Sequence, residues 1–489
     1  MKNKTGVCRA LLLVGMGLMI PCYLFTAGNT LLSPWPLYDR NRLALCLLTP
    51  LCVLLLVLLG RAAKAKVFET HERAVLLGFA AFYFVIQLVM ASALRFTPVT
   101  DLEQCVTAAR RLAQTGAFGN SERSLIYFGR YPHNMGLVYL LAGIFKAADA
   151  LGADELMAAA LVCGLLFSMG LLCAARLCRR LGGAQAQARA LLLFATCLPF
   201  LYCTSELYTD AFSVAFAPMI VFAFLKARDA GSRKERSLWA LLFAVCTFFG
   251  AQIRFPTIIA AIACLIAALF EKRAKLTALL AAPLALVFAV GGSAVNAANK
   301  ANLGAANIAQ NKLPKLHYIA MGLPVQSDEG YGQYGYGGWL IFSTSFDDPQ
   351  ARDEALRQEV VDRAYTLAYH PAQLLSTLSR KNLSTFGRGT FNLNEIFESD
   401  AHEADNAVKQ AVFENGRFNR AYTHLATAMF VAQMALACIA CIQAIRRRDT
   451  CAAPLFLTLL GAFLFLSIWE TRARYFFQFM MILLCAGAM

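Results

Sequence analysis

Acidic and basic side chains cluster in residues 95–134, the first long polar interruption of an otherwise apolar chain. Asp101 and Glu103 stand near its beginning, and Arg130 and Tyr131 stand near its end. A carboxylate can act as a general base, and arginine can stabilise a negative charge that develops during a reaction. Ionisable groups held at a membrane surface are unusual enough to indicate function, so this segment is a candidate site.

Other polar segments are predicted to reach the same membrane face. They are separated in sequence, and each contributes acids, bases or a tyrosine. Because no single structural role predicts that all of them face one side, their agreement favours a shared site. The segments supply Glu206 and Asp210 in SELYTD, Arg254 in AQIRFP, Lys381 and Arg388 near the end of a helical loop, and Glu470, Arg472, Arg474 and Tyr475 in ETRARY.

Each candidate also has a purely structural interpretation. Thr100 and Glu103 could form a capping box, with Asp101 at the positive end of the helix dipole. Arginine and tyrosine at the end of a membrane span are common interfacial anchors. Glu470 could simply pair with a neighbouring arginine. The sequence leaves these alternatives open.

Composition places the chain among integral membrane proteins. Apolar residues make up 58% of it, and the mean hydropathy is +0.54. The net charge of +15 comes from basic clusters in short loops between apolar runs, which is the positive-inside pattern and excludes nucleic acid as the expected partner. The sixteen cysteines lie mostly in apolar segments, so neither a zinc site nor a disulfide framework is expected.

The basic clusters also predict the topology. All of them share the cytoplasmic side only if the apolar run at 135–149 does not cross the membrane. That run is short for a crossing and contains Lys146, so we expect an interfacial or re-entrant helix. The prediction is an all-α, polytopic transmembrane helical bundle of about twelve spans, with both termini inside.

Four regions follow from this topology. Residues 1–72 hold two N-terminal spans, 73–298 form a transmembrane module with a first outer loop at 96–134, 299–420 form an extracytoplasmic loop region, and 421–489 hold the C-terminal spans. The large loop is expected to be mainly helical, with a helix starting at Asp348-Pro349 and a break at His370-Pro371. The glycine-rich stretch 329–340 is predicted to be a mobile loop.

The order and spacing of several short motifs resemble the GT-C superfamily of membrane glycosyltransferases. The resemblance is to the bacterial relatives of the dolichyl-phosphate-mannose protein mannosyltransferases, family 39. It covers roughly residues 73–489, and the two spans before it depart from the family pattern. Its motifs are D-x-E at Asp101 and Glu103, YFGRYPHN at 127–134, LYTD at 207–210, LHYIAMGL at 316–323, SRKNLSTFGRGT at 379–390 and WETRARY at 469–475.

The resemblance implies an inverting transfer of a sugar from a polyprenyl-phosphate donor to an acceptor hydroxyl, on the extracytoplasmic face of the cell membrane. The acceptor would be a protein, a cell-wall polymer or a lipid. Asp101 would be the catalytic base, and a divalent cation such as Mg²⁺ or Mn²⁺ at Asp101 and Glu103 is left open. The implied substrate-binding residues are Glu103, Arg130, Tyr131, Asp210, Arg254, His317, Lys381, Glu470, Arg472, Arg474 and Tyr475.

Two other classes of membrane protein also fit many spans and polar loops. A transporter or lipid flippase would place ionisable groups near the middle of its spans and would show repeated halves, and neither is visible in the sequence. A non-catalytic assembly protein would tolerate replacement of the outer acids. Replacement of Asp101 in a correctly inserted protein discriminates between that role and an enzyme.

Overall fold

The computed structural model describes residues 2–35, 37, 41–63, 65–94, 97–119, 121–326, 329–393, 406–414 and 416–489. Within these ranges the architecture is helical and contains no strand. The first half of the chain forms α1 (Lys2–Gly17), α2 (Met19–Leu32), α3 (Arg42–Ala62), α4 (Ala65–Thr70), α5 (Glu72–Leu94), α6 (Thr100–Thr115), α7 (Glu122–Arg130), α8 (Met135–Ala150), α9 (Glu155–Ala195), α10 (Thr209–Ser213), α11 (Phe216–Asp229) and α12 (Arg233–Ile253).

The second half begins with two apolar helices, continues through a series of shorter helices and ends with apolar helices again. These are α13 (Ile258–Phe270), α14 (Ala274–Leu303), α15 (Ala305–Asn311), α16 (Lys315–Gly322), α17 (Trp339–Thr344), α18 (Pro349–Tyr369), α19 (Pro371–Phe386), α20 (Ala407–Val412), α21 (Asn419–Arg446), α22 (Ala453–Ile468), α23 (Arg474–Phe477) and α24 (Met480–Ala488).

Eight helical segments in the described part of the chain are long and apolar enough to cross a membrane. Two shorter apolar segments, Phe255–Phe270 and Ala453–Ile468, accompany them. Long apolar helices satisfy their own backbone hydrogen bonds, which is the requirement for a segment in lipid. The chain is therefore a multi-pass integral membrane protein.

Helix α9 reverses its direction at Gly183, where φ is 75° and ψ is −168°. A straight helix of its length would extend about 60 Å. Instead, Ser168 donates to the carbonyl of Ala80, and the Phe194 carbonyl accepts from the Tyr83 hydroxyl at 2.8 Å. Ala80 and Tyr83 lie within one turn of α5, so both halves of α9 pack beside α5. The two halves of α9 therefore form an antiparallel pair.

The predicted cytoplasmic basic clusters lie together at one end of the bundle. Arg180 pairs with Asp229 at 2.9 Å, and Arg228 in turn approaches Glu271 at 3.7 Å. At the same end, Arg9 donates to the backbone carbonyl of Arg448. We call this the basic end. The acidic loop and the helices from α15 to α20 lie at the opposite end.

Helix α8 begins and ends at that opposite end. It follows Asn134, which is linked through Tyr127 to Asp101 at the start of α6. Soon after its last turn, Glu155 pairs with Arg110 on α6. Since α8 runs along α6, it does not carry the chain to the basic end.

The large loop contains the two predicted helices at the predicted boundary. The Asp348 side chain caps α18 by accepting from the backbone N–H of Gln350 at 3.0 Å and of Ala351 at 3.2 Å. The next helix starts at Pro371, immediately after His370. Because proline lacks a backbone N–H, it is tolerated at the first turn of a helix, which explains why both helices begin there.

Residues 329–338 of the glycine-rich stretch are not helical, as predicted, whereas Trp339 and Leu340 begin α17. Specific contacts hold the non-helical part in place. Glu329 is buried and pairs with Arg363 at the side of α18. The Gln333 amide donates to Ser384 at 2.8 Å, and the Gly332 carbonyl accepts from the Thr471 N–H at 2.9 Å. The prediction of a loop was therefore correct, whereas its description as mobile overlooked partners that are distant in sequence.

Candidate functional site

Two tyrosine hydroxyls hold the carboxylate of Asp101. Tyr127 donates to Oδ1 at 2.7 Å, and Tyr208 lies 3.4 Å from Oδ2. The Tyr127 hydroxyl itself accepts from the amide of Asn134 at 2.9 Å. Burial raises the pKa of Tyr127 well above its usual value, so its hydroxyl stays protonated and can donate. The carboxylate is thus oriented by residues from two other segments.

The capping box considered from the sequence is not formed. The N-cap position of α6 is Val99, and no side-chain hydrogen bond caps the helix. Thr100 instead adopts φ of 51°, an uncommon conformation for a residue with a side chain. The Asp101 oxygens face Tyr127 and Tyr208 rather than the backbone of their own helix. Asp101 nevertheless lies in the first turn of α6, where the helix dipole favours an acid, so this part of the structural alternative is observed.

A buried carboxylate holds two arginines at the same end of the bundle. Asp210 is fully buried, with Oδ1 3.0 Å from Arg254 Nε and Oδ2 3.5 Å from Arg474 Nε. Arg254 also donates to the Thr209 hydroxyl at 2.7 Å, and its guanidinium lies 4.3 Å from the centre of the Tyr475 ring. Both guanidinium groups are consequently oriented before any ligand arrives.

The ETRARY segment supplies a second set of fixed groups. The Tyr475 hydroxyl donates to Glu470 at 2.8 Å, and Arg472 donates to the backbone carbonyl of Tyr334 at 2.9 Å. Burial raises the pKa of Glu470 above its usual value, although Tyr475 and Arg472 act in the opposite direction. The hydroxyl groups of Tyr334 and Tyr131 share a hydrogen bond of 3.0 Å, which joins this segment to the first loop.

These groups line one cavity of about 1410 Å³. Its size suits a ligand larger than a single small molecule, since typical pockets for such ligands measure 300–1,000 Å³. Arg130 is on its wall, and the Nε of this arginine is buried without a hydrogen-bond partner among the described residues. The predicted site residues found on the wall are Asp101, Glu103, Arg130, Tyr131, Arg254, Glu470, Arg472, Arg474 and Tyr475.

Three of the predicted substrate-binding residues do not line the cavity, and neither do Glu206 and Arg388. Asp210 lies behind Arg254 and Arg474. His317 is buried and shares a hydrogen bond of 2.7 Å with Ser343, and burial lowers its pKa to about 4. The third residue, Lys381, is described next.

Lys381 is fully buried and bonds to backbone rather than facing the cavity. Its ammonium donates to the carbonyls of Gly322 and Trp469, the latter at 2.7 Å. It therefore joins the end of α16 to the start of the ETRARY segment. The expectation that it contacts substrate does not fit this position, because no face of its head group is open.

Several wall residues were not singled out from the sequence. Tyr127 lies inside a quoted motif, but nothing in its spacing indicates that its hydroxyl reaches Asp101. Tyr208 likewise lies inside a quoted motif, LYTD, whose spacing does not indicate contact with Asp101. Lys312 and Lys315 add positive charge to the wall. The only feature of the sequence that could have indicated them is their position in the outer loop.

A site made of protein groups alone would bring several carboxylate, histidine or cysteine ligands together, whereas Mg²⁺ is often held by one or two carboxylates with water and substrate phosphate. The described ranges contain no group of three or more such residues. The Asp101 oxygens already accept hydrogen bonds from tyrosines, whereas Glu103 is exposed to the cavity. Of the two acids in the D-x-E pair, Glu103 is therefore the one whose carboxylate is open to the cavity.

Comparison with known proteins identifies a family. Residues 41–489 match the family described as "conserved hypothetical integral membrane protein". No curated protein and no solved structure matches the chain. Because the family match covers most of its length, the chain belongs to this family of conserved integral membrane proteins.

Proposed function

We propose that the chain is a membrane glycosyltransferase that moves a sugar from a polyprenyl-phosphate donor to an acceptor hydroxyl, with inversion. One observation carries the proposal. Tyr208 contacts the Asp101 carboxylate through its hydroxyl, while its ring centre lies 5.6 Å from the Arg474 guanidinium. A base and a phosphate-binding cation are therefore neighbours on the wall of one cavity, as a displacement at a sugar phosphate requires.

The reaction is a single displacement at the anomeric carbon. Asp101 takes the proton of the acceptor hydroxyl, and the acceptor oxygen forms the new bond to the anomeric carbon. The bond between that carbon and the phosphate oxygen breaks on the opposite face, which inverts the configuration. The electron pair leaves with the polyprenyl phosphate.

The arginines stabilise the departing phosphate. Charge develops on the leaving oxygen, and donors that are already oriented can stabilise it without reorganisation. Arg254 and Arg474 meet this condition because Asp210 fixes both of them. Arg130 lies on the wall of the same cavity and adds a third guanidinium group. Arginine binds phosphate in two places through its planar fork, which favours a lipid-phosphate ligand here.

The remaining wall suits a sugar. Tyr131, Tyr334 and Tyr475 lie on this wall together with Glu103 and Glu470, so a sugar there would meet aromatic and carboxylate groups. The acceptor can be a protein, a cell-wall polymer or a lipid. The donor's apolar tail would leave the cavity toward the membrane.

We place the chain in the cell membrane, with the cavity on the extracytoplasmic face. Counting the two halves of α9 separately, and adding the shorter apolar segments and the C-terminal α23–α24 segment, gives about twelve spans. The basic end then faces the cytoplasm, as the positive-inside rule requires. Helix α8 lies over the outer mouth, and this arrangement is of the GT-C type.

The direct test is release of the leaving group. Purified protein is incubated with a panel of polyprenyl-phosphate sugars and an acceptor extract, and free polyprenyl phosphate is quantified by mass spectrometry. We expect release that depends on the acceptor with at least one donor. Movement of intact donors across liposome membranes without release would instead support the flippase alternative and overturn the proposal.

A further inference from the structure

A second cavity, of about 470 Å³, opens at the basic end of the bundle. It lies between the first half of α9, α11 and α12, and the N-terminus of α5 contributes one acid. Since it is at the end opposite Asp101, it is separate from the site described above. Its wall consists of Glu72, Arg176, Arg179, Arg180, Phe222, Lys226 and Trp239.

Three of its four cations are held by carboxylates. These contacts fix the directions of the cations and leave other N–H groups of each head group for a ligand. The pairs are Arg179 with Glu72 at 3.4 Å, Arg180 with Asp229 at 2.9 Å, and Lys226 with Glu235 at 3.7 Å.

Arg176 is the exception among these cations. It makes no ion pair or hydrogen bond within the ranges that the structure describes, and it is exposed. Its positive charge is therefore uncompensated by the protein. An anion in the cavity would meet Arg176 directly, with the held arginines and Lys226 around it.

A strip of exposed apolar side chains runs along α9 from the side of Arg176 toward the opposite end of the bundle. Leu161, Leu165 and Met169 are 42%, 48% and 51% exposed and lie on the same face of α9 as Arg176, at helical spacing. Across the cavity, the Lys226 ammonium lies 5.2 Å from the centre of the Trp239 ring. Tryptophan is enriched where a membrane meets water.

We propose that this cavity binds the phosphate headgroup of an anionic phospholipid, with an acyl chain lying along Leu161, Leu165 and Met169. Basic pockets between transmembrane helices on the cytoplasmic side suit anionic headgroups. A free phosphate would use the cations but gain nothing from the apolar face. The lipid uses both.

The test compares lipid binding to the purified, detergent-solubilised protein by native mass spectrometry. Phosphatidylglycerol is titrated against wild type and Arg176→Gln, and phosphatidylcholine serves as the neutral lipid. The matched control is Lys275→Gln, an exposed base at the same end that does not line the cavity. Because Arg176 has no protein partner, its replacement is not expected to disturb folding, and the melting temperature of each variant checks this.

We expect Arg176→Gln to weaken phosphatidylglycerol binding roughly tenfold, the effect of one lost charge-assisted contact. Lys275→Gln should leave binding within about twofold, since a base outside the cavity contributes only general surface attraction. Equal losses in Arg176→Gln and Lys275→Gln would show diffuse attraction and overturn the proposal. Equal binding of the two lipids, or full displacement of phosphatidylglycerol by equimolar inorganic phosphate, would overturn it as well.

Discussion

Asp210 shows how a residue can belong to a site without touching its ligand. Its position as the last residue of LYTD indicates an acid on the outer face, and the family resemblance implies that it binds substrate. The structure places it behind Arg254 and Arg474, fully buried. A buried carboxylate is stable as an ion only when it is paired, and these two arginines provide the pairing. We therefore assign Asp210 to positioning the cations.

Arg474, one of the two arginines held by Asp210, gives a prediction. Arg474→Lys should reduce turnover at low donor concentration roughly ten- to a hundredfold, because a lysine cannot pair with Asp210 and grip a phosphate with one planar fork. Arg472→Lys should also lose activity if its guanidinium, held at Tyr334, reaches the donor.

Steady-state kinetics over a range of donor concentrations measure this effect. The matched control is Arg110→Lys, since Arg110 pairs with Glu155 at the same end of the bundle and does not line the cavity. Unchanged kinetics in both Arg472→Lys and Arg474→Lys would mean that these arginines only anchor the last helices.

At the same scale, sequence analysis identified most of the ionisable wall but not its partners. Asp101 could be predicted because acids are rare between apolar runs. Tyr127 and Tyr208 could not, because a hydroxyl that reaches Asp101 depends on how α7 and the segment before α10 pack against α6. Lys381 was predicted to bind substrate because it is a charged residue in a matching motif. The motif does not show that its side chain is buried.

At the scale of elements, Lys381 connects α16, α19 and the ETRARY segment. Lys381→Met should destabilise the protein, since it leaves the carbonyls of Gly322 and Trp469 without a donor, at about 1–3 kcal/mol for each buried group. Turnover per folded molecule should stay close to that of wild type, because Lys381 does not line the cavity. Thermal unfolding in detergent measures the loss, with Lys146→Met, an exposed lysine on α8, as the control.

The same lysine gives a pH dependence. Burial lowers the pKa of Lys381 from 10.5 to about 7. Between these values the unfolded chain binds a proton that the folded chain has released, so this residue's contribution to the free energy of unfolding rises with pH. The melting temperature of wild type relative to Lys381→Met should therefore increase from pH 7 to pH 9. A difference that falls over this range would contradict the assignment.

The helices themselves were predicted with different success. The apolar runs and the proline boundaries at Pro349 and Pro371 were visible because they depend on local sequence. The reversal of α9 takes place at the single residue Gly183, which glycine permits because it tolerates positive φ. The fixed conformation of the glycine-rich stretch depends on Arg363, Ser384 and Thr471, which lie far away in sequence.

At the scale of the whole molecule, the separation of the basic end from the cavity end predicts a topology. In a cysteine-free background, Ala150→Cys should react with an impermeant thiol reagent in intact cells, because α8 stays at the cavity end. Arg179→Cys should react only after permeabilisation. Reaction of Ala150→Cys only after permeabilisation would contradict the arrangement and return α8 to the spanning helices.

The measurement that tests the central claim most directly is donor turnover by Asp101→Asn. Asparagine keeps the shape and an acceptor for Tyr127 but cannot take a proton at neutral pH. We predict that turnover falls by roughly 10²–10⁴, the range for loss of a general base, while the melting temperature stays close to that of wild type. Asp149→Asn, an exposed acid on α8 outside the cavity, should retain full turnover. A stably folded Asp101→Asn protein with wild-type turnover would contradict the account.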